Sequence, residues 1–478
     1  MSGSLTGVRD QNTILVMSHG LILLCGVIAM LLPGDRSGAS SVSEADDTLA
    51  ITDVSVVDVG IGETRAGLTV VIRNGVIAQI ADAQSVSLPP GAVVVDGRGR
   101  FLMPGLWDVH AHLTDATALA LPALLAHGVT GVRDTGGDIV AIDGWRAAIR
   151  SGEIMGPRIV RAGPYLDGYK PDAPFRVVVE DPDDARAAVA YVKARGADFI
   201  KIHNAVPREA YFALAEESRQ HGIPFSGHVP VEVTPSEAAL AGQASIEHAV
   251  TFFEGGFSAS LPPDPDAQLA ALDAFITSGA DTLAQRLTAE GVHVTPTLIP
   301  TVLRGRRVAL YDDPLDCIGT VALSLRDQWD RFFPVGERDR TPGIEELRAR
   351  FAQRMVAFTG ILHANGVPIL AGTDLAARDV CPGASLHDEL ELLVEAGLTP
   401  LDAIRSATLV PARFLGLADS LGSIEIGKRA DLVLLEGDPL VDIRNIRRIV
   451  AVVVNGRLLD RTALDALLAD VIARAPEE

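Results

Sequence analysis

Six residues with side chains able to ligate metals or move protons, four histidines, a lysine and an aspartate, each fall near the end of a short apolar run. The run Leu106–His112 ends in Asp108-Val109-His110-Ala111-His112. On a strand, side chains at i and i+2 share a face, so His110 and His112 point the same way. Two imidazoles converging from adjacent positions make a chelating pair for a borderline-soft cation; an isolated pair is as readily two packed core histidines. Phe199-Ile200-Lys201-Ile202-His203 places Lys201 and His203 on one face. Desolvation disfavours the charged form of an inward lysine, and a neutral amine can take up carbon dioxide as a carbamate, an anion able to bridge two cations. The alternative is a lysine paired with a carboxylate such as Asp374. Ser226-Gly227-His228-Val229 and Ile246-Glu247-His248-Ala249 each bring a histidine, and Leu370-Ala371-Gly372-Thr373-Asp374 closes on an aspartate. That aspartate could ligate a metal, act as general base to a water, or cap the following turn. Each residue alone has a structural reading; six on one rim favour a metal site.

Eight strand-like runs must position them: Leu106–His112, Val129–Thr135, Arg158–Gly163, Asp198–His203, Pro224–Val229, Ser245–Val250, His293–Ile299 and Pro368–Asp374. Most are followed by an Ala/Leu/Glu-rich helical pattern, clearest over Asp181 to Arg195 and Pro207 to Gln220. Eight such units predict an α/β protein of the (β/α)8 TIM-barrel type, with the active site at the C-terminal ends of the strands. An open doubly wound sheet is the runner-up, but no GxGxxG follows any of the runs. The stretch from Pro300 to Val367 exceeds a normal connection and must hold extra helices, with a lid over the site as the expectation. Arg73-Asn74-Gly75 and Asn455-Gly456 are hairpin signatures flanked by β-branched runs. They predict one small β-sandwich assembled from both chain termini. The expected division is residues 1–40, 41–103 (sandwich), 104–412 (barrel) and 413–478 (sandwich and tail).

The chain has 478 residues, 48% of them hydrophobic, enough to fill a large core and a smaller one. Its net charge of −21 repels phosphate backbones and argues against nucleic-acid binding. The three cysteines, Cys25, Cys317 and Cys381, form no CxxC pair, which argues against cysteine-based zinc or iron–sulfur sites. Whether Cys317 and Cys381 pair is not written in their spacing. Leu21 to Leu32 is strongly apolar, is broken by Pro33-Gly34, and is followed by small residues at Ser37-Gly38-Ala39. It reads as a secretory signal peptide, with an uncleaved membrane anchor as the alternative, so export to the periplasm or medium is expected.

His110-Ala111-His112, Lys201, His228, His248 and Asp374 match, in order, the metal-ligand pattern of the amidohydrolase superfamily. Phe101 to Asp108 resembles its approach to the first barrel strand, and Gly422 to Leu432 its return into the sandwich. Ser226-Gly227-His228-Val229-Pro230 and Ile246-Glu247-His248 resemble most the imidazolonepropionase-like branch with its prolidase-like metallodipeptidases. Where prolidase-like members often carry Gly-Gly after the lysine, this chain has Asn204-Ala205-Val206-Pro207. The resemblance implies two divalent metals, zinc foremost, bridged by hydroxide and by N6-carboxylysine at Lys201. It implies that His110, His112 and Asp374 hold one metal and His228 with His248 the other. Asp374 would pass a proton to the leaving nitrogen, and His203, Tyr165 or Arg133 would assist the oxyanion or a substrate carboxylate. The expected activity is hydrolysis of a C–N amide bond in a dipeptide or N-acyl amino acid, with a cyclic amide or lactam next. An inactive extracytoplasmic binding module is the alternative of another class. The expected partner is a small molecule; self-association into a homo-oligomer is compatible with the sequence.

Overall fold

The computed structural model describes residues 48–168, 175–253, 264–306, 310, 315–336 and 339–478. The apolar stretch Leu21 to Leu32, with Cys25, lies outside them. Among the described residues no helix is long and apolar enough to cross a membrane.

The β-branched residues that follow form β1 (Thr48–Asp58), β2 (Glu63–Arg73), β3 (Val76–Asp82), β4 (Val93–Asp96) and β5 (Phe101–Pro104). Asn74 and Gly75, with φ of 49° and 73°, turn β2 into β3 as the hairpin signature predicts. β1 pairs with β2 along its length but is irregular around Asp53. Its first half also pairs with β4 and its second half with β5.

The middle of the chain supplies β6 (Leu106–Ala111), β7 (Val129–Asp134), β8 (Arg158–Arg161), β9 (Tyr165–Asp167), β10 (Arg176–Val178), β11 (Ile200–Ile202), β12 (Phe225–Gly227), β13 (Ser245–Glu247) and β14 (His293–Thr295). All but β9 and β10 fall inside predicted runs. Helices Pro182–Ala194 and Arg208–His221 fill the expected helical stretches. Asp181 caps the first by accepting from the backbone of Asp183 and Asp184. The strands form two parallel sheets, β6-β7-β8 and β10-β9-β11-β12-β13-β14.

The eighth run departs from expectation. Pro368–Asp374 forms no ladder: its backbone bonds to Val294, Val109 and His110, but the only pairings here are isolated bridges, Val294 with Ile369 and, just beyond the run, Ala111 with Leu375. Asp374 turns left-handed at φ 59°, which takes the backbone out of any ladder. The observed fold is therefore α/β with separate sheets, and among the described residues the strands form no continuous ring.

Between β14 and this segment lie helices Leu298–Gly305, Leu323–Phe332 and Ile344–Ala364, as the long gap required. Several links fasten this insertion to the chain after Asp374, among them a disulfide and an indole hydrogen bond. Cys317 and Cys381 form a disulfide, with Cα atoms 6.0 Å apart, and Trp329 Nε1 donates to Ala376 O at 2.8 Å.

The chain then returns to its beginning. β15 (Leu432–Leu435), β16 (Ile449–Val454) and β17 (Arg457–Asp460) complete an eight-stranded mixed sheet, in the order β17-β16-β15-β5-β1-β2-β3 with β4 on β1. The two ends do combine as expected, but in one sheet network rather than two separate facing sheets. The turns Asn74-Gly75 and Asn455-Gly456 meet back to back: a Cβ on Gly75 would lie 3.2 Å from Gly456 N. Only glycine permits both that approach and the positive φ. Met103, Val433, Leu435, Val452 and Val454 face the main core, whereas Leu102, Leu432, Leu434, Ala451 and Val453 fill a second cluster. Burial on both faces explains why these strands read as unbroken apolar runs.

Candidate metal centre

The cluster is assembled where β6 meets the segment before Asp374. The buried Asp108 carboxylate accepts from Thr373 N at 3.0 Å, Thr373 Oγ1 at 2.6 Å and His110 N at 3.2 Å. Gly372 permits the approach, since a Cβ there would stand 2.8 Å from His110 Cβ. Asp374 N then donates to His110 O at 2.8 Å. His248 and Asp374 have left-handed φ values of 67° and 59°, a costly backbone state for residues other than glycine and one found at functional sites.

The result is one tight group. His110 Nε2 and His112 Nε2 lie 3.5 and 3.3 Å from Asp374 Oδ1. Lys201 Nζ is 3.3 Å from His110 Nε2. The His248 ring stands 4.6 Å from that of His110 and 4.7 Å from that of His228. Ligand atoms of His110, His248 and Asp374 all fall within 4.8 Å of one another. All six residues singled out in the sequence thus come together. None of the ion pairs among the described residues involves Lys201, so its pairing with Asp374 is not observed.

A second layer aims the rings. Glu247 Oε2 accepts from His110 Nδ1 at 2.9 Å. His112 Nδ1 lies 2.9 Å from Tyr165 Oη and 3.2 Å from Gly136 O, and His248 Nδ1 shares a hydrogen bond with Thr297 Oγ1 at 2.8 Å. With Nδ1 engaged, Nε2 of His110 and His112 faces the cluster, as metal-ligating histidines require. His228 Nδ1 is buried and has no hydrogen-bond partner among the described residues. Such an orphaned nitrogen beside three other imidazoles, a lysine and an aspartate fits a divalent metal cation.

Of the three residues expected to assist, two reach the cluster. Tyr165 contacts His112, and His203 stacks on His228 at 4.1 Å while its Nδ1 donates to Asn204 Oδ1 at 2.9 Å. Arg133 does not. Its guanidinium is fully buried beneath the cluster, donating to Val109 O at 2.7 Å, Ser245 Oγ at 3.2 Å and Glu247 Oε1 at 2.5 Å. Phe199 and Phe414 pack on it at 5.0 and 5.2 Å. It positions Glu247. Sequence reasoning missed Glu247, Asp108 and Thr297 in this supporting role; the one visible signal was an acid beside a histidine in Ile246-Glu247-His248 and again in the Asp108 to His112 run.

Burial sets the electrostatics. It pushes the protonated forms of His110 and His228 well down and that of His248 to about 4, leaving neutral rings able to ligate. It also brings Lys201 down to about 8. Burial would raise Asp374, but His248, His112 and His110 hold it far below the usual carboxylate range. Burial opposes the charge on Glu247 too, and is overcome by Arg133 and by the His110 hydrogen bond. For Tyr165, burial with Asp115 and Asp134 nearby pushes the phenol well up, so it remains a proton donor.

A family model described as "Amidohydrolase family" matches residues 101–459. Adenine deaminase 2 from Rhizobium meliloti (strain 1021) is 26% identical over 433 residues, covering 89% of this chain and 59% of the relative. The chain thus spans less than two thirds of the length of that relative. Ochratoxinase from Aspergillus niger is 24% identical over 410 residues, 72% of each chain. Among solved structures, a bottromycin amidohydrolase superposes with a TM-score of 0.72 at 26% identity, covering 90% of this chain and 91% of the other. A protein from Bifidobacterium longum assigned as a prolidase gives 0.65 at 26% identity, covering 89% and 99%.

Proposed function

The chain belongs to the amidohydrolase family, and from that membership we propose that it hydrolyses the C–N amide bond of a dipeptide or N-acyl amino acid with divalent metal ions as cofactors. The observation that carries this reading is the convergence of His110, His112, Lys201, His248 and Asp374, with the rings oriented from behind by Glu247, Tyr165 and Thr297. The amidohydrolase and prolidase names of the structural relatives support a peptide-like amide. A cyclic amide is the next choice.

His110, His112 and Asp374 would hold one cation and His228 with His248 a second, zinc foremost, with Lys201 as N6-carboxylysine between them. Bound there, divalent cations would acidify a water and polarise the scissile carbonyl. The protein's own part is positional and protonic. His110 and His112 engage Asp374 through Oδ1, leaving Oδ2 to take the proton of the attacking water and return it to the leaving nitrogen. Tyr165 Oη, kept protonated, and His203 stand beside His112 and His228, where a carbonyl oxygen or terminal carboxylate of the substrate would lie. The depressed Lys201 supports carbamate formation, because only the neutral amine attacks carbon dioxide.

The same reading closes the parallel strands into a (β/α)8 barrel, for which the bridges at Val294–Ile369 and Ala111–Leu375 are support. It keeps the division at residues 40, 103 and 412. It also places the protein outside the cytoplasm, where the Cys317–Cys381 disulfide would persist. The test is a library of dipeptides, N-acyl amino acids and lactams, with adenine included because of the deaminase relatives. Hydrolysis of a library amide, lost on chelation and restored by Zn²⁺, Mn²⁺ or Co²⁺, is the expected result. Turnover that survives complete removal of metal refutes the mechanism.

A further inference from the structure

A cavity of about 480 Å³ opens at the end of the parallel strands away from the metal cluster. Arg158 begins β8, and Phe199 and Pro224 immediately precede β11 and β12; all three line it. His112, His203, His228 and His248 each follow directly on the last residue of their strand. Cavity and metal cluster therefore lie on opposite faces. We propose that this cavity binds a small organic carboxylate with an apolar body, a ligand separate from the substrate of the metal centre.

Charge and shape both point to that class. In a chain of net charge −21, the cavity wall carries Arg133, Arg146 and Arg158 against the single carboxylate of Asp198. Two of these arginines are committed. Arg133 spends its donors on Val109, Ser245 and Glu247, and Arg146 pairs with Asp198 at 3.2 Å. Arg158 is held more loosely: its side chain stays 29% exposed and meets Asp431 through Nη2 alone at 3.4 Å. A carboxylate entering the cavity gives that loosely held, partly exposed guanidinium a charge-assisted bond. Apart from Ser226, the rest of the wall is apolar, with Phe199, Phe414 and Leu417 forming a surface for a ring or short alkyl chain. A cation would find one carboxylate among three arginines, and a phosphate would face hydrocarbon on most sides. A cavity of this volume suits a ligand the size of an arylalkanoate. Phe199 and Phe414 are also the rings that pack on Arg133. An occupant touching them is separated from Glu247, and so from His110, by one side chain.

The probe is 4-phenylbutyrate, titrated calorimetrically into the full metal-loaded chain and into the same protein after chelation. Saturable binding should persist after chelation and in His228→Ala, which separates this cavity from carboxylates bound at the metals. Arg158→Glu should weaken it at least tenfold, and Leu417→Trp, which fills the cavity and leaves the arginine in the chain, should abolish it. Absence of saturable binding overturns the proposal. So does binding lost on chelation or in His228→Ala, or binding indifferent to both cavity variants.

Discussion

Replacing Arg133 by methionine isolates the support beneath the metal cluster. Arg133 and Glu247 are 1% and 0% exposed and meet at 2.5 Å. Arg133→Met removes the cation but leaves the carboxylate buried, with Ser245 and His110 as its remaining hydrogen-bond donors. Removing one member of a buried pair costs about 3–5 kcal/mol, because the surviving charge has no counterpart and no water. Changing both, as Arg133→Met with Glu247→Leu, removes the uncompensated charge, and stability should return to within about 1–2 kcal/mol of the parent. Metal binding should not recover. His110 Nδ1 loses its acceptor in the double variant, and loss of such an orienting partner weakens metal affinity about 10- to 100-fold. Urea unfolding of the metal-free proteins reads the first quantity, and competition with a chelator reads the second. A double variant as unstable as the single one, or one that keeps parental metal affinity, would refute the idea that Arg133 acts through Glu247 on His110.

Lys201→Ala should lose both metal and activity, with partial rescue of each by short carboxylic acids that occupy the gap; full metal content and near-normal turnover would end the carbamate assignment. His387 and His127 form a buried pair, His387 Nε2 donating to His127 O at 2.9 Å. Burial lowers them to about 3 and about 4. The unfolded chain, with ordinary histidines near 6.5, binds protons over the window from about 6.5 to 4 that the folded chain does not, so stability falls as pH drops through it. His387→Gln should remove about 1.4 kcal/mol per pH unit from that slope, and an unchanged slope in urea midpoints from pH 7 to 4.5 would contradict the assignment. The disulfide spans 64 residues, for which loop entropy gives about 4 kcal/mol. Cys317→Ser should lower the thermal midpoint of oxidised protein, and equal midpoints with and without the bond would show that the insertion holds its place unaided.

What the sequence disclosed follows from rarity. A histidine, lysine or aspartate at the end of an apolar run stands out, and His110, His112, Lys201, His228 and Asp374 were legible on that ground. His248 was legible by type but not by geometry. Glu247 already occupies the inward position on β13, so strict alternation would turn His248 away, and only its φ of 67° brings it back. Arg133 was misread because a position near a strand end says nothing about where so long a side chain leads. Glu247 was visible only as a neighbour, since its partners Arg133 and His110 belong to other strands. β9 and β10, three residues each, arise from pairing across the sheet and carry no pattern of their own. The terminal hairpins were legible from Asn-Gly. Whether their strands formed one sheet network or two sheets was not, because both faces are apolar.

The sheet built from both ends of the chain fixes an order of events during synthesis. β5 has β1 on one side and, on the other, only β15, which begins about 330 residues after β5 ends. At roughly 5–20 residues per second, the ribosome takes some 15–65 s to deliver that partner. Throughout that interval Phe101–Pro104 is an open edge with Leu102 and Met103 uncovered, a template for pairing with another chain. The nascent protein therefore depends on whatever shields that edge, and a chain that stops before Leu432 never covers it.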